Sequence, residues 1–306
     1  MAYARRYRRR PTTTRRARNA RTARPRRSYA SKKRTYRRRP MTRRKILNIS
    51  SRKKRNNMLT VANTDPSGNL TPLAIKPLNI NGTQTGFVLW NATAMNISRD
   101  AGLNTINDES ARTAQLCYMR GLKESIRIQT SSGIPWFHRR IVFRTTNPLI
   151  ASGQTFVDGS GTSNTNGMQR LQLNLTIATS SDAQATYSAV REELFRGMEG
   201  TDWNDTLTAK VDTTRVRVMY DRSRVMQSGN ASGLVRLFKH WIPMNKNLMY
   251  EDDEAGESKA SLYTSSEGLQ GMGNCMVLDI YKPGAGSAVA DQLRVETEST
   301  LYWHER

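Results

Sequence analysis

Apolar and polar side chains alternate with a period of two along much of the chain, and this pattern indicates half-buried β-strands. Two stretches, 169–177 and 292–304, show it most clearly. The side chains expected to point inward are Leu171, Leu173, Leu175 and Ile177 in the first stretch and Leu293, Val295, Leu301 and Trp303 in the second. Those expected to face water are Arg170, Gln172, Asn174 and Thr176, and Arg294, Glu296, Glu298 and His304. Both stretches are predicted to be antiparallel strands with one wet face.

Similar runs, bounded by Gly, Asn, Asp and Pro, predict further strands. They lie near 58–62, 86–91, 115–119, 124–130, 136–146, 206–211, 214–220, 233–242 and 275–281. One helix is expected at 188–197, with Ser188 as its N-cap and Gly197 closing it. This set of elements predicts an all-β fold, and an antiparallel jelly-roll sandwich with long loops is the architecture that fits it best.

Charge divides the chain into two parts. Residues 1–60 carry 25 of the 49 Lys and Arg residues and no Asp or Glu, whereas the remainder carries all 25 acidic residues and is nearly neutral. Residues 1–45 contain no Leu, Val, Phe or Trp, so they cannot bury enough apolar surface to offset the entropy lost on ordering. We therefore expect a disordered basic arm at 1–56 and a folded jelly-roll domain at 57–306.

A polycationic arm of this kind needs a polyanionic partner. Arginine outnumbers lysine in it, and the guanidinium group forms bidentate hydrogen bonds to phosphate oxygens. Such a segment binds nucleic acid by counterion release with little reading of sequence, and the interspersed tyrosines could stack on unpaired bases. The residues predicted to contact DNA are Arg5, Arg6, Arg8, Arg9, Arg10, Arg15, Arg16, Arg18, Arg21, Arg24, Arg26, Arg27, Lys32, Lys33, Arg34, Arg37, Arg38 and Arg39.

Other interpretations of the arm explain it less well. A solvated charge run without a ligand would leave the repulsion among its like charges unrelieved. A mitochondrial transit peptide needs an apolar helical face, which the arginine spacing does not provide, and arginines stand where a secretory signal would be apolar. No run of 18 apolar residues occurs, so no membrane insertion is expected.

Two basic clusters near the end of the arm resemble a bipartite nuclear localisation signal. The clusters are Arg43, Arg44 and Lys45, and Arg52, Lys53, Lys54 and Arg55. The alternative is that these residues only bind phosphate. The interpretation as a signal implies a host nuclear-import receptor as a partner.

The sequence lacks the motifs of common catalytic and metal sites. There is no Gly-x-x-x-x-Gly-Lys-Ser/Thr, Cys-x-x-Cys, His-x-His or Gly-x-Ser-x-Gly. No catalytic residue, metal ligand or cofactor is predicted, and an enzyme is not expected. The acidic cluster Glu251–Glu254 with Glu257 is interpreted as a solvated loop, with a neighbouring subunit's basic patch or a hard cation as alternative ligands.

Two further sets of residues are expected in the core. Cys117 and Cys275 lie in strand-like apolar runs far apart in sequence, so we expect two buried free thiols rather than a disulfide or a metal pair. The tryptophans also lie mostly in strand runs, and core packing is expected for them in preference to base stacking. They are Trp90, Trp136, Trp203, Trp241 and Trp303.

Several stretches spread over the whole chain resemble the capsid proteins of genomoviruses, the gemycircularvirus-like group of small circular single-stranded DNA viruses. They are Met1–Tyr7, Arg43–Asn48 with Arg52–Arg55, Cys117–Glu124, Gly133–Trp136 before Arg139 and Arg140, Trp241–Lys246 before Glu251–Glu254, and Leu301–Glu305. The resemblance implies a jelly-roll subunit, a T=1 icosahedral shell, packaging of circular single-stranded DNA, and delivery to and assembly in the nucleus. It supplies no residue for base contact.

The expected function is therefore a capsid protein that self-assembles into a homo-oligomeric shell and packages a single-stranded DNA genome through its arm. Its expected locations are the virion and the host nucleus. The alternative is a cellular structural nucleic-acid-binding protein, such as a ribosomal or chromatin component. Ribosomal proteins usually stay basic over the folded part that faces RNA, whereas this body is nearly neutral, which favours the shell.

Overall fold

The computed structural model describes residues 41–99, 102–147, 150, 154–159, 167–256, 258–268 and 271–306. Arg44–Arg306 form one compact unit, which is built mainly from antiparallel β-sheets. The prediction of an all-β fold is confirmed. The eighteen residues predicted to bind DNA, from Arg5 to Arg39, lie outside the described residues.

The elements are numbered in chain order. The described helices are α1 (Arg43–Ser50) and α2 (Ser181–Leu194). The strands are β1 (Arg52–Met58), β2 (Thr60–Thr64), β3 (Leu70–Ile75), β4 (Leu78–Asn81), β5 (Gly86–Asn91), β6 (Ser98–Arg99), β7 (Gly102–Leu103), β8 (Leu116–Thr130), β9 (Trp136–Thr145), β10 (Val157–Asp158), β11 (Met168–Gln172), β12 (Arg217–Met226), β13 (Val235–Ala255), β14 (Ser258–Ser265), β15 (Asn274–Pro283) and β16 (Gln292–Glu305). Neither helix has the length and apolar character needed to cross a membrane.

The largest sheet has the order β1-β16-β8-β13-β14, and β4 also pairs with β16. All of these pairings are antiparallel. The alternation predicted for 292–304 is confirmed, because its four inward side chains are fully buried and its polar partners reach the surface. One face of this sheet therefore packs on the core and the other faces solvent.

A second antiparallel sheet has the order β12-β9-β15-β5. Eight strands from the two sheets, taken in chain order, pair in a regular way. The first pairs with the last (β1 with β16), the second with the seventh (β5 with β15), the third with the sixth (β8 with β13), and the fourth with the fifth (β9 with β12). Two further pairings, β16 with β8 and β15 with β9, join these hairpins into the two sheets.

A smaller sheet, β10-β11-β2-β3, contains the one parallel pairing among the described strands, β11 with β2. The outward positions predicted for Arg170, Gln172 and Asn174 are wrong, since all three side chains are completely buried. Every residue of β11 is buried because other elements cover both of its faces. The regular strand ends at Gln172, and residues 175–177 form a turn.

The apolar core falls into two clusters. One contains Leu122 and Leu301, and the other contains Ile126 and Val295. On β8, Glu124 stands between Leu122 and Ile126, and it is completely buried. A layer of buried polar side chains thus crosses the interior between the two clusters.

Two predicted elements differ from the structure. The helix begins at Ser181 rather than Ser188, because Ser180 is the N-cap and its hydroxyl accepts a hydrogen bond from the backbone N–H of Ala183. The strand expected at 206–211 does not form. Asp205 organises turns there, with its carboxylate accepting from the Leu207 N–H at 2.9 Å and its carbonyl from the Ala209 N–H at 2.8 Å.

The expected boundary between arm and body at residue 57 needs a correction. Strand β1 begins at Arg52 and pairs with β16 along its whole length, from Arg52 opposite Glu305 to Met58 opposite Ser299. Residues 52–56, which the sequence assigned to the disordered arm, therefore belong to the edge of the large sheet, and Arg43–Ser50 of the same predicted arm form α1.

Candidate nucleic-acid interface

The second predicted basic cluster forms the outer part of strand β1. Arg52, Lys53 and Arg55 are exposed, whereas Lys54 is only 4% exposed and points into the body. This inward direction follows from the period of two, which sends alternate side chains of the strand to opposite faces. Three of the four residues are thus available to a ligand. For the first cluster, only Lys45 has a described side chain, and it is exposed.

Lys54 attaches β1 to the last strand. Its Nζ lies 3.0 Å from Glu305 Oε2 and donates to the Ala111 carbonyl at 2.8 Å and to Thr113 Oγ1 at 2.9 Å. Burial by itself would raise the pKa of Glu305, but hydrogen bonds from Thr113, Trp303 and Lys54 hold it below its ordinary value. The pair is therefore charged and fully hydrogen-bonded, and Lys54 serves the fold.

The exposed part of β1 continues into a basic surface on the solvent face of the large sheet. Arg55 lies opposite Tyr302 of β16, which in turn lies opposite Gly121 of β8. Neighbouring residues of the same sheet add further cations. We call this surface the basic face and define it by Lys53, Arg55, Arg120, Lys123 and Lys246.

The cations of the basic face lack ion-pair partners among the described residues. None of its five cations forms an ion pair with a described carboxylate, and Arg120 instead donates to the side-chain oxygen of Asn245. Burial, followed by Arg120 and Lys53, lowers the pKa of His304, so this ring is neutral at pH 7. Further along the same face, by contrast, Arg127 and Arg294 both pair with Glu296. The unneutralised positive charge therefore lies at the end of the sheet next to β1, where an anion would be attracted.

A second group of charges, which the sequence did not reveal, lies inside the sandwich. We call it the ionic layer, and its members are Glu124, His138, Arg140, Arg170 and Asp279. Arg170 bridges both carboxylates, with Nε 3.2 Å from Glu124 Oε1 and Nη2 2.8 Å from Asp279 Oδ2. Arg140 also contacts both carboxylates, and Ser299 donates to Glu124 at 2.9 Å.

The ionic layer holds the sheets together and is not accessible to a substrate. His138 Nε2 lies 2.9 Å from Asp279 Oδ1, and its ring stacks on Tyr281 at 4.6 Å between centroids. Burial alone would raise the pKa of Asp279, but Arg140 and the hydrogen bond with His138 hold it far below its ordinary value. Two guanidinium groups thus balance two carboxylates, as buried charges require. No member is more than 5% exposed.

The acidic cluster is part of a hairpin and not the solvated loop that the sequence suggested. Glu251–Glu254 belong to β13, which pairs with β14. The Asp252 carboxylate is buried and bound by both terminal nitrogens of Arg112, at 2.5 and 3.0 Å. Glu257 lies outside the described residues. Across the described part of the chain, no three His, Cys, Asp or Glu residues are grouped so that they could hold a metal ion.

The expectations for the core are confirmed for the cysteines and only in part for the tryptophans. Cys117 and Cys275 are buried and free, and burial raises the pKa of the Cys275 thiol to about 12. Trp90, Trp136 and Trp303 are fully buried. The core position expected for Trp241 is wrong, since 48% of this residue is exposed on the solvent face of the large sheet.

Comparison with known proteins adds no relative. No protein-family model matches the chain, and no curated protein matches it either. The geometry described above and the charge of the sequence are therefore the basis for a functional proposal.

The nuclear-import hypothesis can be tested without disturbing the fold. Replacing Arg52, Lys53 and Arg55 together by alanine should reduce nuclear accumulation of a fluorescent fusion, because these side chains are exposed. Replacing Arg43–Lys45 should have a similar effect. Lys54 is kept because its loss would leave Glu305 buried and unpaired. A reduced nuclear signal could then result from misfolding as well as from failed import.

A control for charge is available on the same sheet. Replacing Arg127, Lys239 and Arg294 by alanine removes three exposed basic side chains outside both clusters and should leave import unchanged. An undiminished nuclear signal in both cluster variants would contradict the hypothesis.

Proposed function

We propose that this protein is a viral capsid protein, a structural subunit and not an enzyme, which self-assembles into a small T=1 icosahedral shell. In this proposal the arm neutralises and condenses a circular single-stranded DNA genome inside the shell. The protein acts in the virion and in the host nucleus, which it reaches through an import receptor. The resemblance to genomovirus capsid proteins gave this expectation, and features of the body support it.

The strand pairing carries the proposal. An eight-stranded jelly roll can be pictured as one long antiparallel hairpin that is wound up, so that the first strand pairs with the eighth, the second with the seventh, and so on inward. Eight of the ten strands in the two main sheets, all except β4 and β14, pair in this way. Their orders, β1-β16-β8-β13 and β12-β9-β15-β5, are those expected when such a hairpin closes into two sheets. Jelly rolls are common among capsid subunits.

The distribution of charge supports a role in packaging. The basic residues of the first 60 positions have no acidic neighbours in sequence, and the basic face places further unneutralised cations beside β1, the strand that follows the arm. A nearly neutral body allows many copies to pack together, because little net charge opposes their association. A shell of about 60 copies would carry roughly 1300 charges on residues 1–51 for the phosphates of its genome.

Assembly provides the direct test. The full chain, expressed alone, should form closed particles of uniform size in electron microscopy and light scattering. These particles should protect single-stranded DNA from nuclease, because the arm binds phosphates without requiring a particular sequence. A ribosomal or chromatin component would remain a small species that binds nucleic acid without closing into a shell. Monodisperse small species at every salt concentration tested would therefore contradict the proposal.

A further inference from the structure

An aromatic pair, the exposed Trp241 and the partly buried Tyr302, lies in the middle of the basic face. Trp241 and Tyr302 approach to 5.8 Å between ring centroids, with their planes inclined at 60°. Gly121 lies beneath the indole, since a Cβ placed there would be 2.8 Å from Trp241 Cζ2. The backbone of Gly121 thus lies against the six-membered ring of the indole, while 48% of Trp241 stays exposed to a flat ligand. A single exposed tryptophan is common on protein surfaces, but this one lies among cations that form no ion pair with a described carboxylate.

The surface next to this pair is shaped as an open depression. Its volume is about 370 Å³, and it is lined by Tyr118, Asn245, Lys246, Asn247 and Gly271. Tyr118 also approaches His304 at 6.0 Å between centroids. Both pairings that flank β8 shift register here, between Pro243 and Lys246 and between Tyr302 and Trp303. Such bulges redirect side chains and are common beside functional sites.

The backbone conformation and the side-chain contact of Asn245 are further features of this surface. Its backbone has φ +49°, which makes it the one non-glycine residue with positive φ in the described part of the chain. Its side chain accepts a hydrogen bond from Arg120 and so holds this cation at the edge of the depression. Asn tolerates left-handed backbone better than most residues, and here this conformation belongs to the register shift between Pro243 and Lys246.

From this arrangement we infer that the body carries its own binding subsite for unpaired nucleotides, in which a base stacks on Trp241 and the flanking phosphates contact the basic face. This inference rests on the proposed function and extends it, because the arm alone would bind through charge. The subsite would favour single strands over duplexes, since only an unpaired base offers a free π-face. It would recognise bases without distinguishing among them, because each base has such a face.

Charge favours nucleic acid over a second copy of the chain as the occupant. The subsite combines flat rings with five cations, none of which forms an ion pair with a described carboxylate, and phosphates spaced along a strand complement it. A second copy could offer the exposed Asp253 and Glu254 of its acidic hairpin, whereas the Asp252 carboxylate there is already bound by Arg112. We therefore treat contact between copies as an outcome that the experiment must be able to reveal.

The test compares oligomers with and without bases, and proteins with and without the ring of Trp241. The full chain is titrated with a short oligothymidylate and with an abasic oligomer of equal length, at high salt where the arm contributes less. Trp241→Ala should weaken binding of the oligothymidylate by about 5- to 150-fold, the range measured for loss of one stacked base. It should leave binding of the abasic oligomer unchanged. Trp241→Phe, which keeps a ring, should restore most of the loss.

Two further variants separate stacking from charge and from general surface effects. Leu237→Ala truncates an apolar residue on the same strand and face that is more exposed than Trp241, and it should change neither affinity. Lys123→Gln should weaken binding of both oligomers and reduce the salt slope by about 0.7, as expected for one phosphate contact.

Several other results of these binding experiments would contradict the inference, and they can be told apart. Equal weakening of both oligomers by Trp241→Ala, or no effect on either, would show that no base stacks there. A change in the oligomeric state of DNA-free Trp241→Ala would assign the face to contacts between copies. If the inference alone fails, the wild type still binds single strands through its arm. If the wild type binds neither oligomer at any salt concentration, the proposed function fails with it.

Discussion

Replacing Arg170 by methionine is expected to lower the free energy of unfolding by about 3–5 kcal/mol, the cost typical of removing one partner from a buried ion pair. Arg170 contacts both Glu124 and Asp279, so its loss leaves two buried carboxylates with Arg140 as their remaining guanidinium partner. It also removes a guanidinium group that lies 4.4 Å from the Trp90 ring centroid. Chemical denaturation of unassembled subunits measures the effect.

An exposed ion pair in the same protein provides the control. Arg127→Met breaks a contact with Glu296 on the solvent face of the large sheet, where both side chains are partly hydrated. It should cost at most about 1 kcal/mol. If the two variants were equally stable, the ionic layer would contribute no more than a surface pair, and its role in joining the sheets would be wrong.

Replacing Arg5, Arg6, Arg8, Arg9 and Arg10 by alanine is expected to produce the largest change in binding. In log affinity against log salt, each phosphate contact to a single strand contributes a slope of about −0.7. Removal of all five contacts should therefore make the slope shallower by up to about 3.5. The amount of nuclease-protected DNA per particle should fall as well.

Lysine at the same five positions is the matched control. It keeps the charge and removes the bidentate geometry, so the slope should stay near that of the wild type while affinity falls modestly. Binding to mixed-sequence single-stranded DNA across a salt series gives both quantities. A salt-insensitive affinity, or a strong preference for one sequence, would show that the arm reads bases and that charge neutralisation is not its role.

The strand predictions were accurate where one face of the strand is exposed to solvent. The alternation in 292–304 assigned its buried and exposed side chains correctly, and the strand expected at 86–91 has the bounds of β5. It failed for β11, because the polar residues there are buried against other charges and not against water. The periodicity of a sequence shows which side chains are polar and which are apolar. It does not show whether the polar side chains face water or are paired with other polar groups inside the protein.

The candidate site was harder to predict for a related reason. In 233–242, Trp241 and Ile242 are adjacent and both apolar, so alternation does not decide which of them points inward. The exposed face became evident from the pairing of Trp241 with Lys123 across β13 and β8.

Lys54 illustrates the opposite case. A cluster of four basic residues suggested four exposed charges, but the partner of Lys54, Glu305, is distant in sequence and could not be identified before the fold was known.

The position of β16 between β1 and β8 also determines when the body can form during synthesis. β16 is the last described strand in chain order, and its pairing with β1 closes a loop that contains almost the whole body. Such distant pairings are entropically costly and fold slowly. A growing chain would therefore expose its basic arm and unpaired strand edges before the large sheet could close. If the proposed function is correct, association of subunits into a shell would have to wait for this strand, whereas contact of the arm with nucleic acid would not.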